Sequence, residues 1–129
     1  MVDISSPASP TIIRTCETSN ARGLSVSGSY AYVADGNAGL RVIEISNPAS
    51  PTIIGTCGTT DAWAVAISGS YAYVADRGSG IRVIDIGNPL SPDLIGTCGT
   101  TDAWAVAISG SYAYVADYSS GLRVIDLLP

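Results

Sequence analysis

Three tandem copies of a 41-residue unit, each marked by four short antiparallel strands, predict an all-β chain of β-propeller class with three four-stranded blades. The first observation behind this is the recurrence of Ser-Tyr-Ala-Tyr-Val-Ala-Asp at residues 29–35, 70–76 and 111–117. The second is its depth: 46–86 matches 87–127 at 33 of 41 positions, and 5–45 matches 46–86 at 26 of 41. The third is the lack of any 3.6-residue apolar period long enough for a helix.

Within one unit the strands follow in order. Trp63-Ala64-Val65-Ala66-Ile67 alternates large and small side chains with period two. Ser68-Gly69 makes a tight hairpin into Tyr71-Ala72-Tyr73-Val74-Ala75, which alternates again. The loop Asp76-Arg77-Gly78-Ser79-Gly80 leads to a third strand over 81–86. Asn88-Pro89 and Ser91-Pro92 then break the chain, because proline cannot donate to a central ladder. A short outer strand over 94–98 ends the unit, and 99–102 connect to the next copy.

Both faces of a blade must be apolar, since blades stack face to face. Trp63, Val65 and Ile67 are expected on one face, against a neighbour's small face of the Ala62, Ala64 and Ala66 type. Identity this high between copies points to recent duplication or deliberate engineering.

The repeated Tyr-Ala-Tyr-Val-Ala-Asp, followed by Gly-Leu-Arg-Val-Ile-Glu-Ile (39–45), Gly-Ile-Arg-Val-Ile-Asp-Ile (80–86) and Gly-Leu-Arg-Val-Ile-Asp-Leu (121–127), resembles the LVIVD-repeat propellers of bacteria and archaea. Asn47-Pro48-Ala49-Ser50-Pro51 matches that family's blade-end turn, and the resemblance spans essentially the whole chain. It implies a propeller, and a parent protein that is secreted or at the cell surface. It implies no catalytic mechanism.

The phase of the repeats matters as much as their number. The chain begins inside a third-strand motif, and residues 10–16 read as an outer strand with no blade before them. The last copy stops after its third strand, so its outer strand is missing. Three blades leave two apolar faces in water, whereas propellers usually hold four to eight. The expectation is a homo-oligomer in which the outer strand 10–16 of one copy completes the last blade of another. Thr11, Ile12 and Ile13 would then meet Val124, Ile125 and Leu127 at the seam. Two chains give a six-bladed ring, the favoured outcome; three give nine blades. A start in mid-motif also leads us to expect a longer parent.

Composition narrows the chemistry. Eleven acids against six arginines, with no histidine and a net charge of −5, disfavour a nucleic-acid partner. They also remove the commonest general base and metal ligand. No apolar run is long enough to span a bilayer as a helix. We therefore expect no enzyme, no cofactor, no metal site and no membrane or nucleic-acid partner. Cys16, Cys57 and Cys98 occupy one repeated position, too far apart across stacked sheets to bridge.

Asp35-Gly36-Asn37-Ala38-Gly39 faintly resembles a calcium loop, but the other two copies lose the second ligand, so turn geometry explains all three. Asn20, Asp61 and Asp102 are expected to cap backbone amides. Arg41, Arg82 and Arg123 are expected to pair with Asp35, Asp76 and Asp117 across their hairpins. The candidate binding residues are Asn20, Arg22, Asp61, Trp63, Arg77, Asp102, Trp104 and Tyr118, on loops that share one face of the ring. Strong variation at 36–38, 77–79 and 118–120 amid near-identical blades is what a binding surface on a rigid scaffold would show. A glycan, a peptide or a small anion fits such residues, whereas the inner strands offer too few polar groups for catalysis.

Overall fold

A computed structural model describes residues 12–128. Blade 1 consists of β1 (Gly23–Ser27), β2 (Tyr30–Ala34), β3 (Leu40–Glu44) and β4 (Thr52–Cys57). Blade 2 repeats it as β5 (Ala64–Ser68), β6 (Tyr71–Ala75), β7 (Ile81–Asp85) and β8 (Asp93–Cys98). Blade 3 has β9 (Ala105–Ser109), β10 (Tyr112–Ala116) and β11 (Leu122–Asp126). Each sheet is an antiparallel meander, with strand order β1-β2-β3-β4, β5-β6-β7-β8 and β9-β10-β11. The first strand of blade 2, β5, contacts both β1 and β9, so the first strands form the inner edge around which the blades fan.

The sequence dictates these elements locally. Ser68 pairs with Tyr71 across a two-residue loop whose Gly69 sits at φ 58°, a region where glycine carries no Cβ penalty. A bulge between Val83 and Ile84 bends the ladder to β8 where the proline-rich turn enters.

The core lies between blades. Tyr32, Ala34, Leu40 and Val42 of blade 1 pack on Val65, Ala72, Val74 and Ile84 of blade 2, with Ile67 partly buried beside them. Tyr73, Ala75 and Ile81 of blade 2 pack with Val115 of blade 3, joined by Ala64, Val106 and Ile108. The expected large-on-small packing is not what this junction shows: Val65 and Ile67 share their cluster with Tyr32, Leu40 and Val42, side chains as large as their own. Two other expected residues depart from it as well. Ala62 shares a cluster with Val65, and Trp63 precedes β5 and turns out of the inter-blade core. Its ring instead lies against Trp104 and two arginines on the rim, where an indole meets flat partners.

The expected outer strand over 10–16 lies partly outside the described residues, as does Thr11. In 12–16 only Ile12 forms a bridge, and 13–16 carry no strand in the single chain. The segment still occupies an outer-strand position relative to blade 1. Arg14 Nε donates to the Ala49 carbonyl at 2.7 Å, and Cys16 packs on the Ala31, Val33 and Ile43 cluster. Forty-one residues on, Gly55 lies against the corresponding turn of blade 2, next to the Pro89 carbonyl.

Candidate functional site

A buried carboxylate fixes the rim loops of every blade. Asp76 has no solvent exposure and accepts from the Thr60 and Asp61 amides at 3.0 and 2.7 Å and from Arg82 Nε at 3.0 Å. Asp35 does the same with Ser19, Asn20 and Arg41, and Asp117 with Thr101, Asp102 and Arg123. The expected Arg–Asp pairs are present at 3.2, 3.0 and 3.1 Å. The expected capping role of Asn20, Asp61 and Asp102 is overturned. Their backbone amides are the donors, the buried aspartates are the caps, and their own side chains point outward to the rim.

Burial alone would raise the Asp117 pKa, but the Thr101 and Asp102 amides and the Arg123 guanidinium outweigh it and hold it at about 2. Asp35 is lowered in the same way: desolvation opposes, and the Asn20 and Ser19 amides and Arg41 prevail.

All eight candidate binding residues meet in one rim cluster. Arg22 lies over the Trp63 ring at 3.7 Å, and Trp63 and Trp104 are 4.2 Å apart, centroid to centroid. Arg77 lies beside both indoles, its guanidinium carbon 5.1 Å from the Trp63 ring centre and 4.2 Å from that of Trp104. Its Nε and Nη2 clamp the Asp102 carboxylate at 2.6 and 3.3 Å, and Nη1 lies 3.7 Å from Asp61. The hydrogen bond to Asp102 raises the Arg77 pKa and lowers that of Asp102. Tyr118 stacks on Trp104 at 6.0 Å, and the Asn20 carboxamide, with its oxygen toward Arg22, accepts from Nη2 at 2.9 Å. Arg77 and Tyr118 hold φ of 51° and 49°, where blade 1 has Gly36 at 55°. Non-glycine residues rarely occupy this region, so the backbone there is held by the turn that closes on Gly80 and Gly121.

The second feature is the pair of end faces. Leu40 and Ile81 are 0% and 1% exposed, whereas the same position in blade 3, Leu122, is 67% exposed. Val65 is 6% exposed and its blade 1 counterpart Leu24 is 63%. Val26 and Val124 are also exposed, and no outer strand covers β11 among the described residues. Of the expected seam residues, Ile12, Ile13 and Val124 are exposed, but Ile125 and Leu127 pack against the blade 2–blade 3 core. Leu24, Val26 and Leu122 were missed as end-face residues. Their 41-residue equivalence to buried Val65, partly buried Ile67 and buried Ile81 is the signal that could have found them.

An open groove of about 910 Å³ runs between the outer parts of blades 2 and 3, lined by Tyr73, Val83, Gly96, Cys98, Ile125 and Leu127. At the blade 1–blade 2 junction the turn carrying Pro89 and Pro92 fills the matching space under Gly55. The cysteines are free, with Cys57 buried and Cys98 exposed, and burial foremost raises the Cys57 thiol pKa. Among the described residues no group of three His, Cys, Asp or Glu side chains could hold a metal ion.

Antiparallel meanders stacked face on face with their first strands innermost define a propeller-like repeat array. The chain belongs to the LVIVD repeat family, whose model matches residues 1–18, 19–59, 60–100 and 101–127. Those segments keep the 41-residue period and group the strands as the blades do, 14 residues on from repeats counted at 5, 46 and 87. Among solved structures, the chain is similar to the computationally designed Ika4 protein, with 16% identity and a TM-score of 0.64 over 81% of this chain and 64% of that one. The computationally designed Ika8 protein is similar at 15% identity and a TM-score of 0.65, over 81% of this chain and 32% of that one. These likenesses speak for the fold alone, and the chain spans under two thirds of either protein. No curated protein matches the sequence.

Proposed function

We propose that the chain is a non-catalytic, self-assembling propeller scaffold, and that two copies close into a six-bladed ring. The observation that supports this best is the exposure of Leu24, Val26, Leu122 and Val124 at positions that both internal junctions cover. Burying a large aliphatic side chain contributes roughly 1.5–3 kcal/mol, so two such seams favour association well beyond a crystal-type contact.

The register of the seam follows from β3 on β4, where Leu40 faces Cys57 and Val42 faces Gly55. One repeat away, Leu122 of one copy faces Cys16 of the other, and Val124 faces Arg14. Residues 5–10 (Ser-Ser-Pro-Ala-Ser-Pro) nearly repeat 46–51 (Ser-Asn-Pro-Ala-Ser-Pro), the turn of blade 1, and are the natural occupant of the open groove. Two chains stay within the usual blade count; three exceed it.

Static light scattering tests the reading. A particle of twice the 13.1 kDa chain mass is expected at micromolar concentration, and a monomer there overturns it.

A second reading, a ligand site on the rim for a glycan, peptide or small anion, draws support from the Trp63 indole N–H, which is buried without an acceptor among the described residues. Against it, Arg77 of the rim is already paired with Asp102 and stacked on Trp104. A glycan and peptide array decides it: binding that Trp63→Phe abolishes supports the reading, and silence on both arrays rejects it.

A further inference from the structure

We infer that Tyr118 is the contact by which one copy recognises the next, stacking on the guanidinium of Arg22 of a second copy so that the rim belt of arginines and aromatic rings runs unbroken across the seam. This rests on the self-assembly reading above and names the side chains that give the seam its specificity.

At each internal junction the second residue of the rim loop, Gly36 or Arg77, meets the strand-entry segment of the following blade. Gly36 and Ala62 exchange two backbone hydrogen bonds of 3.0 and 2.9 Å, and Arg77 and Ala103 exchange two of 3.1 and 2.9 Å. Tyr118 has the same backbone conformation as both, and the next partner in the series is Ala21 of a second copy. That pairing sets Tyr118 beside Asn20 and Arg22, as Arg77 is set beside Asp102 and Trp104.

The residue types are exchanged in a matching way. At the blade 2–blade 3 junction an arginine on the loop meets a tryptophan on the entry segment; at the seam a tyrosine on the loop meets an arginine on the entry segment. Both combinations give a cation over an aromatic face. The acidic position changes with them. Asp102 serves the Arg77 charge, whereas with tyrosine on the loop the matching residue is the neutral Asn20, which hydrogen-bonds Arg22. One face of the Arg22 guanidinium is on Trp63, and the residue is exposed. Tyr118 is 71% exposed with one ring face on Trp104. Joining them completes the sequence Arg22, Trp63, Arg77, Trp104, Tyr118 and then Arg22 of the next copy.

The test is the dissociation constant of the assembly, by sedimentation equilibrium across a dilution series. Tyr118→Arg sets two guanidiniums face to face at both seams and is expected to weaken association at least tenfold. The fold should tolerate it, because Arg77 already adopts that backbone conformation; circular dichroism provides the control. Adding Arg22→Trp recreates the Arg77–Trp104 pairing at the seam and is expected to restore association to within about threefold. Tyr118→Ala, which introduces no charge, should fall between the two. Wild-type association unchanged by Tyr118→Arg, or a weakening that Arg22→Trp does not relieve, overturns this inference and leaves the self-assembly reading standing. A wild-type monomer at micromolar concentration overturns that reading itself.

Discussion

Replacing Asp76 by alanine tests whether the buried carboxylates organise the blades. Asp76 belongs to the middle blade, flanked on both sides within the chain, so its effect is independent of assembly. The substitution leaves the Thr60 and Asp61 amides and Arg82 Nε without their acceptor. An orphaned buried donor costs about 1–3 kcal/mol, and removing one partner of a buried ion pair costs about 3–5 kcal/mol. The Arg82 side chain is 21% exposed and reaches water, and the terms overlap, so a loss of about 3 kcal/mol is expected. For a chain of this length that lowers Tm by roughly 10 °C. Asp76→Asn, which keeps an acceptor oxygen but loses the charge, should lose about half as much. The assay is urea unfolding followed by circular dichroism at neutral pH. A loss below about 1 kcal/mol for Asp76→Ala would refute the reasoning, since it would equate the carboxylate with a surface side chain.

Three further outcomes are expected. Asp117, near 2 in the folded chain against an unfolded value near 4, and Asp35, also depressed, bind fewer protons folded than unfolded. Their stabilisation is therefore complete above about pH 4 and is lost as pH falls toward 2, which an acid series of urea unfolding curves checks. Leu122→Asp should leave the fold unchanged, because the residue is exposed in the single chain, and should shift the scattering mass to 13.1 kDa. Cys98 should react with a thiol reagent within seconds to minutes in that variant and many times more slowly in the wild-type assembly, with Cys57 protected in both.

The 41-residue period located the strands to within one or two residues, because alternation and turn chemistry are local properties. The Arg–Asp pairs were also legible, since Arg82 pairs in register with Val74, two residues before Asp76. The direction of Asp61 and Asp102 was not. Which of two nearby carboxylates turns inward depends on the path of the chain between blades, and the buried place went to the residue that ends the hairpin strand. Trp63 misled for a similar reason: its period-two position predicts a core face, but it precedes β5, where the chain is already turning onto the rim. The rim cluster itself unites residues up to 41 positions apart, and only the stacking of blades shows that Arg77 reaches both tryptophans. The end-face residues were hidden by success elsewhere. A pattern that buries Leu40 and Ile81 says nothing of Leu122 until the neighbours are counted.

Exchange of the outer strand between copies is tested most directly by a covalent trap. In a Cys57→Ser, Cys98→Ser background, Leu122→Cys stands opposite Cys16 of a second copy in the register that pairs Leu40 with Cys57. Directly paired residues on antiparallel strands lie about 4.5–5.5 Å apart, within disulfide reach. Mild oxidation followed by a non-reducing gel should give a dimer linked at both seams and nothing longer. A ladder of higher species, or chains that remain uncrosslinked, would contradict a two-chain ring closed by strand exchange.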